Sequence, residues 1–354
     1  MDNYFISGIQ QVGIGVKDVY EAWKWYRKNL GFDIEIFDEK ATAELMLPYT
    51  DNKPRERHAV LTYNLKGGGG LEIWQYTERT PQPPLFEIKL GDLGIFALKI
   101  NATDTVNVYN EFSRRNYDFI TAPANAPDDN SNFFIKDLYG NYVQIVKNDF
   151  VFKKNEKHLT GGVAGVMIGV SDIERSKKFY AEILGYDKVL YDETGVFEDF
   201  KDIAGGEQTY RRVLLTHSKP MKGAFSPVFG NSFIELIEAK DREPKKIFDG
   251  RLWGDLGFIH LCFDMSGMEA LKTKCEEMGH PFTVDSGAKF DMGEAAGRFS
   301  YIEDPDGTLI EFVETYKIKL IEKPAIYLNL QKRNREKSLP NIILKALSLS
   351  RVKD

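Results

Sequence analysis

The chain repeats itself, and this constrains its fold more than any other feature. GIQQVGIGVKD at 8–18 matches GVAGVMIGVSD at 162–172, at an offset of 154 residues. The match continues into the next segment, with Trp25-Tyr26 against Phe179-Tyr180 and Leu30-Gly31-Phe32 against Leu184-Gly185-Tyr186. A second pair, GDLGIFALKIN at 91–101 and GDLGFIHLCFD at 254–264, is offset by 163. The nine extra residues predict a loop insertion in the second half, around 197–231. The chain reads as a tandem duplication.

Each half also divides into two similar pieces. Gln11 to Val16 and Phe96 to Ile100 are short β-rich runs, each followed by an amphipathic helix. The first helix sets Val19, Ala22, Trp25, Tyr26 and Leu30 at helical spacing and stops at Gly31, a residue suited to a left-handed cap. Strands with turn punctuation follow: four glycines at 67–70 before LEIWQY, and the turns DLYGN (137–141) and DPDGT (304–308). The repeating unit is β-α-β-β-β, at 8–82, 91–150, 161–242 and 254–316. The expected organisation is a first module over 1–150, a second over 157–318, and a basic, partly helical extension over 319–354.

Composition narrows the function. With 354 residues, 42% hydrophobic and 28% charged, the chain suits two globular domains. It contains no 18-residue apolar run, so no transmembrane segment is expected, and the N-terminus does not read as a signal. Cys262 and Cys275 are too few for a disulfide framework and lack zinc spacing, which predicts a cytoplasmic protein. From Thr315 onward there are ten Lys/Arg against three Asp/Glu, a net +7, so the total of −6 leaves −13 on residues 1–314. An acidic body predicts no nucleic-acid partner.

IQQVGIGVKDVYEAWKWYRKNLGF, GFIHLCF and DPDGTLIEFVE, set in a fourfold β-α-β-β-β pattern, resemble the vicinal oxygen chelate superfamily. That superfamily includes glyoxalase I, extradiol dioxygenases and bleomycin-resistance proteins. The resemblance covers roughly residues 5–318 and implies an α+β fold with two modules built on cupped mixed sheets. It also implies metal ligands from the first and last strands of each contributing unit. Those positions are Gln11 and Glu72 in unit one, Ala97 and Gln144 in unit two, Gly165 and Glu235 in unit three, and His260 and Glu311 in unit four.

Ala97 and Gly165 cannot ligate, so unit pairing decides the site. Pairing one with two leaves Gln11, Glu72 and Gln144 in one cup and Glu235, His260 and Glu311 in the other. Pairing one with four gathers Gln11, Glu72, His260 and Glu311, and this crosswise arrangement is the one expected. It resembles the Gln/Glu/His/Glu set of eukaryotic-type glyoxalase I. One divalent ion is implied, with Zn, Ni, Co, Mn and Fe all compatible. In a strand, alternate residues share a face. Gln11 therefore shares its face with Gly13 and Gly15, Glu72 with Trp74 and Tyr76, and His260 with Cys262. These neighbours are expected to line a roomy aromatic substrate pocket.

The resemblance further implies a lyase or isomerase that works through a metal-stabilised enediolate, with Glu311 as the base and Glu72 opposite. The substrate is a small molecule with adjacent oxygens. The arginines and asparagine that contact glutathione in such enzymes are replaced by Gly15, Leu256 and Tyr76, so glutathione dependence is not expected. One alternative is an iron dioxygenase of the extradiol or 4-hydroxyphenylpyruvate type, whose first histidine would fall at Gly165. Another is a metal-free binding protein of the bleomycin-resistance type. The tail after Pro340 suggests a basic amphipathic helix with Ile342, Ile343, Ala346 and Leu347 on one side. Docking on the acidic body is its expected role, ahead of capping the pocket or lying on a membrane surface. A monomer and a homodimer both fit, because crosswise pairing supplies both halves of each cup from one chain.

Overall fold

The computed structural model describes residues 3–117, 119–287, 290–292, 295–321 and 326–353, with side chains described outside 290–296 and 319–326. Unit one runs β1 (Phe5–Gly15), α1 (Val19–Leu30), β2 (Ile34–Ala43), β3 (Arg55–Tyr63) and β4 (Gly70–Tyr76). Unit two runs β5 (Gly94–Ala102), α2 (Thr105–Arg114), β6 (Ala124–Asn125), β7 (Ser131–Lys136) and β8 (Tyr142–Lys147). Unit three contains β9 (Thr160–Gly169), α3 (Ile173–Leu184), β10 (Lys188–Gly195), β11 (Tyr210–Thr216), α4 (Ser226–Phe229) and β12 (Phe233–Ala239). Unit four contains β13 (Gly257–Ser266), α5 (Met268–Glu277), β14 (Val284–Asp285), β15 (Phe290–Met292), β16 (Ala295–Glu303) and β17 (Leu309–Ile321). β18 (Ile326–Asn329) and α6 (Asn341–Ala346) complete the chain.

The duplicated sequence produces duplicated local chemistry. The Asp18 carboxylate accepts from the backbone N–H groups of Tyr20 and Glu21, and Gly31 closes α1 at φ 75°. Asp172 accepts from the Arg175 N–H and Gly185 closes α3 at φ 74°. On α1 the fully packed indole is Trp23, which donates to Phe32 O at 3.0 Å, while Trp25 is only half-buried. The insertion falls mainly between β11 and β12, where residues 217–232 replace the short connection at 64–69 and add α4.

The sheets cut across the two halves of the sequence. One ten-stranded sheet runs β14-β16-β17-β13-β1-β4-β3-β2, with β15 on β16 and β18 on β17. The other, of eight strands, runs β10-β11-β12-β9-β5-β8-β7-β6. Unit one thus joins unit four through the antiparallel β1–β13 seam, and unit two joins unit three through β5–β9. The boundary between 150 and 157 separates copies of the repeat; it does not separate sheets. The helix sides supply the other link, since the Tyr26 hydroxyl donates to Asp137 at 2.6 Å and the Tyr180 hydroxyl to Asp304 at 2.9 Å. Both sheet backs and helices α1, α2, α3 and α5 share one core, and the concave faces carry separate smaller clusters.

The tail docks on the body. Leu339 and Leu344 are buried with Ile34, Leu61, Val228 and Phe229. Arg351 pairs with Asp33 and, at 2.6 Å, with Glu156. The side of α6 that faces inward is set by Leu344, while Ile342 is 80% exposed. Of the expected apolar face, Ile343 and Leu347 pack against this cluster while Ile342 and Ala346 stay exposed, because in so short a helix the contact under Leu344 decides orientation.

Candidate metal centre

Two lateral rows cross the sheet shared by units one and four. In the first, Gly13 on β1 lies between His260 on β13 and Glu72 on β4. In the second, Cys262 on β13 lies between Gln11 on β1 and Glu311 on β17. A bulge at Gln10 shapes the row ends, because β1 shifts register there against β13. Ile9 and Val12 both enter the common core, so Gln10 and Gln11 together turn to the concave face. The Cys262 thiol approaches Gln10 Oε1 at 3.7 Å.

Glu72, His260 and Glu311 converge, with one potential ligand atom from each lying within 4.8 Å of the others. His260 Nε2 is 3.0 Å from Glu311 Oε2 and 3.3 Å from Glu72 Oε2. The imidazole is fully buried, and the two carboxylates are 10% and 12% exposed. His260 Nδ1 and Gln11 Oε1 are buried with no hydrogen-bond partner, while His260 Nε2 faces only the Glu311 and Glu72 carboxylates. Orphaned donors and acceptors are costly in such a place, so this donor set fits a divalent cation. Burial alone would lower the His260 pKa, but Glu311 and Glu72 push it up to about 9. Burial would raise Glu72, yet His260 holds it below the usual carboxylate range.

The surroundings are tighter than the sequence suggests. The space beside Gly13 is filled by the His260 ring, whose Cε1 is 2.3 Å from where a Cβ would sit. The space beside Gly15 is filled by the Asp255 carbonyl oxygen, 2.0 Å from such a Cβ. Strand alternation identifies neighbours on one strand but not what an adjacent strand delivers, so the expected room at these glycines is absent. Trp74 and Tyr76 are buried and pack at ring distances of 4.6 Å from each other. The Tyr76 hydroxyl bonds to the Trp253 carbonyl, and Trp74 meets Trp253 at 4.7 Å. They form a wall rather than an open pocket. Burial, then Glu311, pushes the Cys262 thiol well up, which suits a packed residue and not a nucleophile.

Two residues missed in the sequence complete the wall. Trp253 lies parallel to His260, with 6.2 Å between rings, and Tyr301 meets the imidazole edge-on at 5.6 Å. Tyr301 is directly opposite Glu311 in the β16–β17 pair. It was findable, since the two positions are placed symmetrically about the DPDGT turn.

The other cup holds no such group among the described residues. Lys99 lies opposite Gly165 and Gln144, the same row position that Cys262 occupies between Gln11 and Glu311. Its ammonium contacts both Glu235 and Gln144. Arg212 also contacts Glu235 and is 2.8 Å from Asp199 Oδ1. The Tyr191 hydroxyl donates to Glu235 at 2.7 Å. The protein's own cations therefore occupy the carboxylate that the repeat places there.

Residues 8–145 and 162–312 match the profile of the Glyoxalase/Bleomycin resistance protein/Dioxygenase superfamily. No curated protein matches the sequence. Among solved structures, glyoxalase I from Zea mays is 14% identical with a TM-score of 0.53, covering 98% of this chain and 96% of that one. A glutamate-to-glutamine variant of the same maize enzyme gives 16% identity and a TM-score of 0.56, covering 87% and 93%. A putative dioxygenase from Bacillus subtilis is 12% identical with a TM-score of 0.55, covering 88% and 86%. At these identities the likeness is one of fold.

Proposed function

The chain belongs to the Glyoxalase/Bleomycin resistance protein/Dioxygenase superfamily, and from that premise we propose that it is a metal-dependent lyase or isomerase with one centre, in the cup of units one and four. The observation that carries this reading is the buried convergence of Glu72, His260 and Glu311, with the imidazole Nε2 facing only the two carboxylates. Gln11 completes the ligand set, through an amide oxygen that has no other partner. A divalent ion held there would polarise adjacent substrate oxygens and offset the charge that develops when a neighbouring C–H loses its proton.

The chain's own residues do the rest. Glu311 takes the proton, because its carboxylate lies at the metal group beside the His260 ring, at the β17 end of its row. Glu72 is its counterpart across the imidazole, able to return the proton on the other side. Trp74, Trp253 and Tyr301 exclude water from this side of the group and hold the His260 ring in place. The substrate is not a glutathione adduct, since Gly15, Leu256 and Tyr76 offer none of the cationic or amide contacts a peptide thiol would use. The dioxygenase alternative calls for two histidines and one carboxylate, and this group has the reverse composition.

Deuterium wash-in tests the reading. Metal-loaded protein in D₂O is mixed with 2-oxoaldehyde adducts of small thiols or with acyl thioesters, and exchange beside the carbonyl is followed by mass spectrometry. The native protein is expected to promote exchange, and Glu311→Gln to slow it by about 10²–10⁴-fold. Oxygen uptake with catechols and no exchange would contradict it.

A further inference from the structure

We propose that the C-terminal extension is a membrane-docking element, whose outward face seats the protein on an anionic lipid bilayer. The inference is independent of the metal centre.

It starts from a short helix that is apolar on two sides. Leu344 is buried, and Ile343 and Leu347 pack against the same cluster, so the inner side is accounted for. The outer side carries Ile342 and Leu349, which are 80% and 88% exposed. They are the two most exposed large apolar side chains among the described residues. α6 runs directly into a 3-10 turn at Leu347–Ser350, so Ile342, Ala346 and Leu349 fall along one side at the i, i+4, i+7 spacing of a helical stripe. Ala346 is exposed as well. The body already holds the helix by its inner side, and the stripe stays in water, where it is unfavourable.

Charge identifies what covers the stripe. From Ile326 to Lys353 there are seven Lys/Arg and one Asp/Glu, the exception being Glu336. That carboxylate already pairs with Lys222 at 2.8 Å. Lys332, Arg335, Lys337 and Lys345 are exposed and have no acidic partner among the described residues. Leu328, Leu330, Leu339, Leu344 and Leu347 all enter one cluster with Val228 and Phe229. The segment therefore lies along one side of the body, and its basic residues share that side with the stripe. The acids that hold its end are engaged, since Asp33 and Glu156 both pair with Arg351.

Residues 1–314, at −13, would be repelled by an anionic surface, which leaves the extension as the part that faces it. Exposed aliphatic side chains among unpaired cations suit the boundary between anionic headgroups and acyl chains. A second copy fits this face poorly, because a symmetric pairing would set the same cations against each other. No helix among the described residues is long and apolar enough to cross a membrane, so the docking is peripheral.

The test is co-sedimentation of the full chain with phosphatidylcholine vesicles, with and without about 30% phosphatidylserine, at low ionic strength. Native protein is expected to bind the phosphatidylserine vesicles saturably and the neutral ones at least about tenfold more weakly. Ile342→Ser/Leu349→Ser should weaken binding by about tenfold or more. Lys337→Glu/Lys345→Glu should do the same, with an effect that shrinks at high salt. The control Lys178→Glu/Lys201→Glu, exposed on α3 and after β10 and equal in charge change, should stay within about twofold of native. All these residues are exposed, so each variant is expected to keep the native urea midpoint. Absence of binding to phosphatidylserine vesicles, equal binding to both compositions, or equal losses in the control overturns the proposal. Self-association that Ile342→Ser/Leu349→Ser abolishes, without vesicle binding by the native protein, also overturns it and assigns the face to a second copy.

Discussion

Arg212→Met is expected to lower the unfolding free energy by about 3–5 kcal/mol, read from urea denaturation, because it strips one partner from a buried ionic network. The guanidinium is fully buried, 2.8 Å from Asp199, in contact with Glu235, and 4.0 Å above the Phe200 ring. Methionine fills much of the volume but leaves Asp199 with one described side-chain donor, Asn132 at 3.1 Å. The pH dependence has a definite sign. Burial alone would raise Glu235, but Arg212 and Lys99 pull it from 4.5 to about 2. Its contribution is full above pH 4.5 and is lost as pH falls toward 2, where the folded state must also take up the proton. Native protein should therefore lose stability steeply over that range, and the variant should show a shallower acid slope. A change below about 1 kcal/mol would contradict the network's role.

Gly13→Ala is expected to weaken metal binding by about 10–100-fold, measured by competition with a chelating dye. The added Cβ would lie 2.3 Å from His260 Cε1 and 2.6 Å from both ring nitrogens. The imidazole cannot retreat easily, since Trp253 lies parallel to it and Tyr301 meets its edge. Either the ring leaves its place between Glu72 and Glu311 or the β1–β13 seam opens. Overpacking of this kind also costs about 1–3 kcal/mol of stability. Native affinity in this variant would show that the ring position is unimportant.

Much of the fold was legible because a duplicated chain must repeat its local structure. Asp18 with Gly31, and Asp172 with Gly185, could be matched by offset alone, and the helix they bracket followed. The offset of 163 aligns Glu72 with Glu235 and Lys99 with Cys262. Alignment alone does not show that an ammonium placed between Gly165 and Gln144 reaches Glu235 and neutralises it. Which units share a sheet was a choice between two ligand tallies, because spacing along a chain does not say which strand edges meet. The glycines differ from expectation for a related reason. Alternation places Gly13 and Gly15 only within their own strand, while the ring and carbonyl that fill their space arrive from β13 and the turn before it. Tyr301 and Trp253 were missed because neither sits on a strand that carries a ligand. Trp253 precedes β13 on a loop, where no periodicity announces a contact.

In the proposed reading one cup binds a metal, while in the other Lys99 and Arg212 hold the Glu235 carboxylate. Elemental analysis of the native protein and His260→Ala, each equilibrated with mixed divalent ions and freed of excess, tests this. About one equivalent in the native protein and none in the variant is the predicted result. No metal in the native protein, a second equivalent, or an equivalent retained without His260 would contradict it.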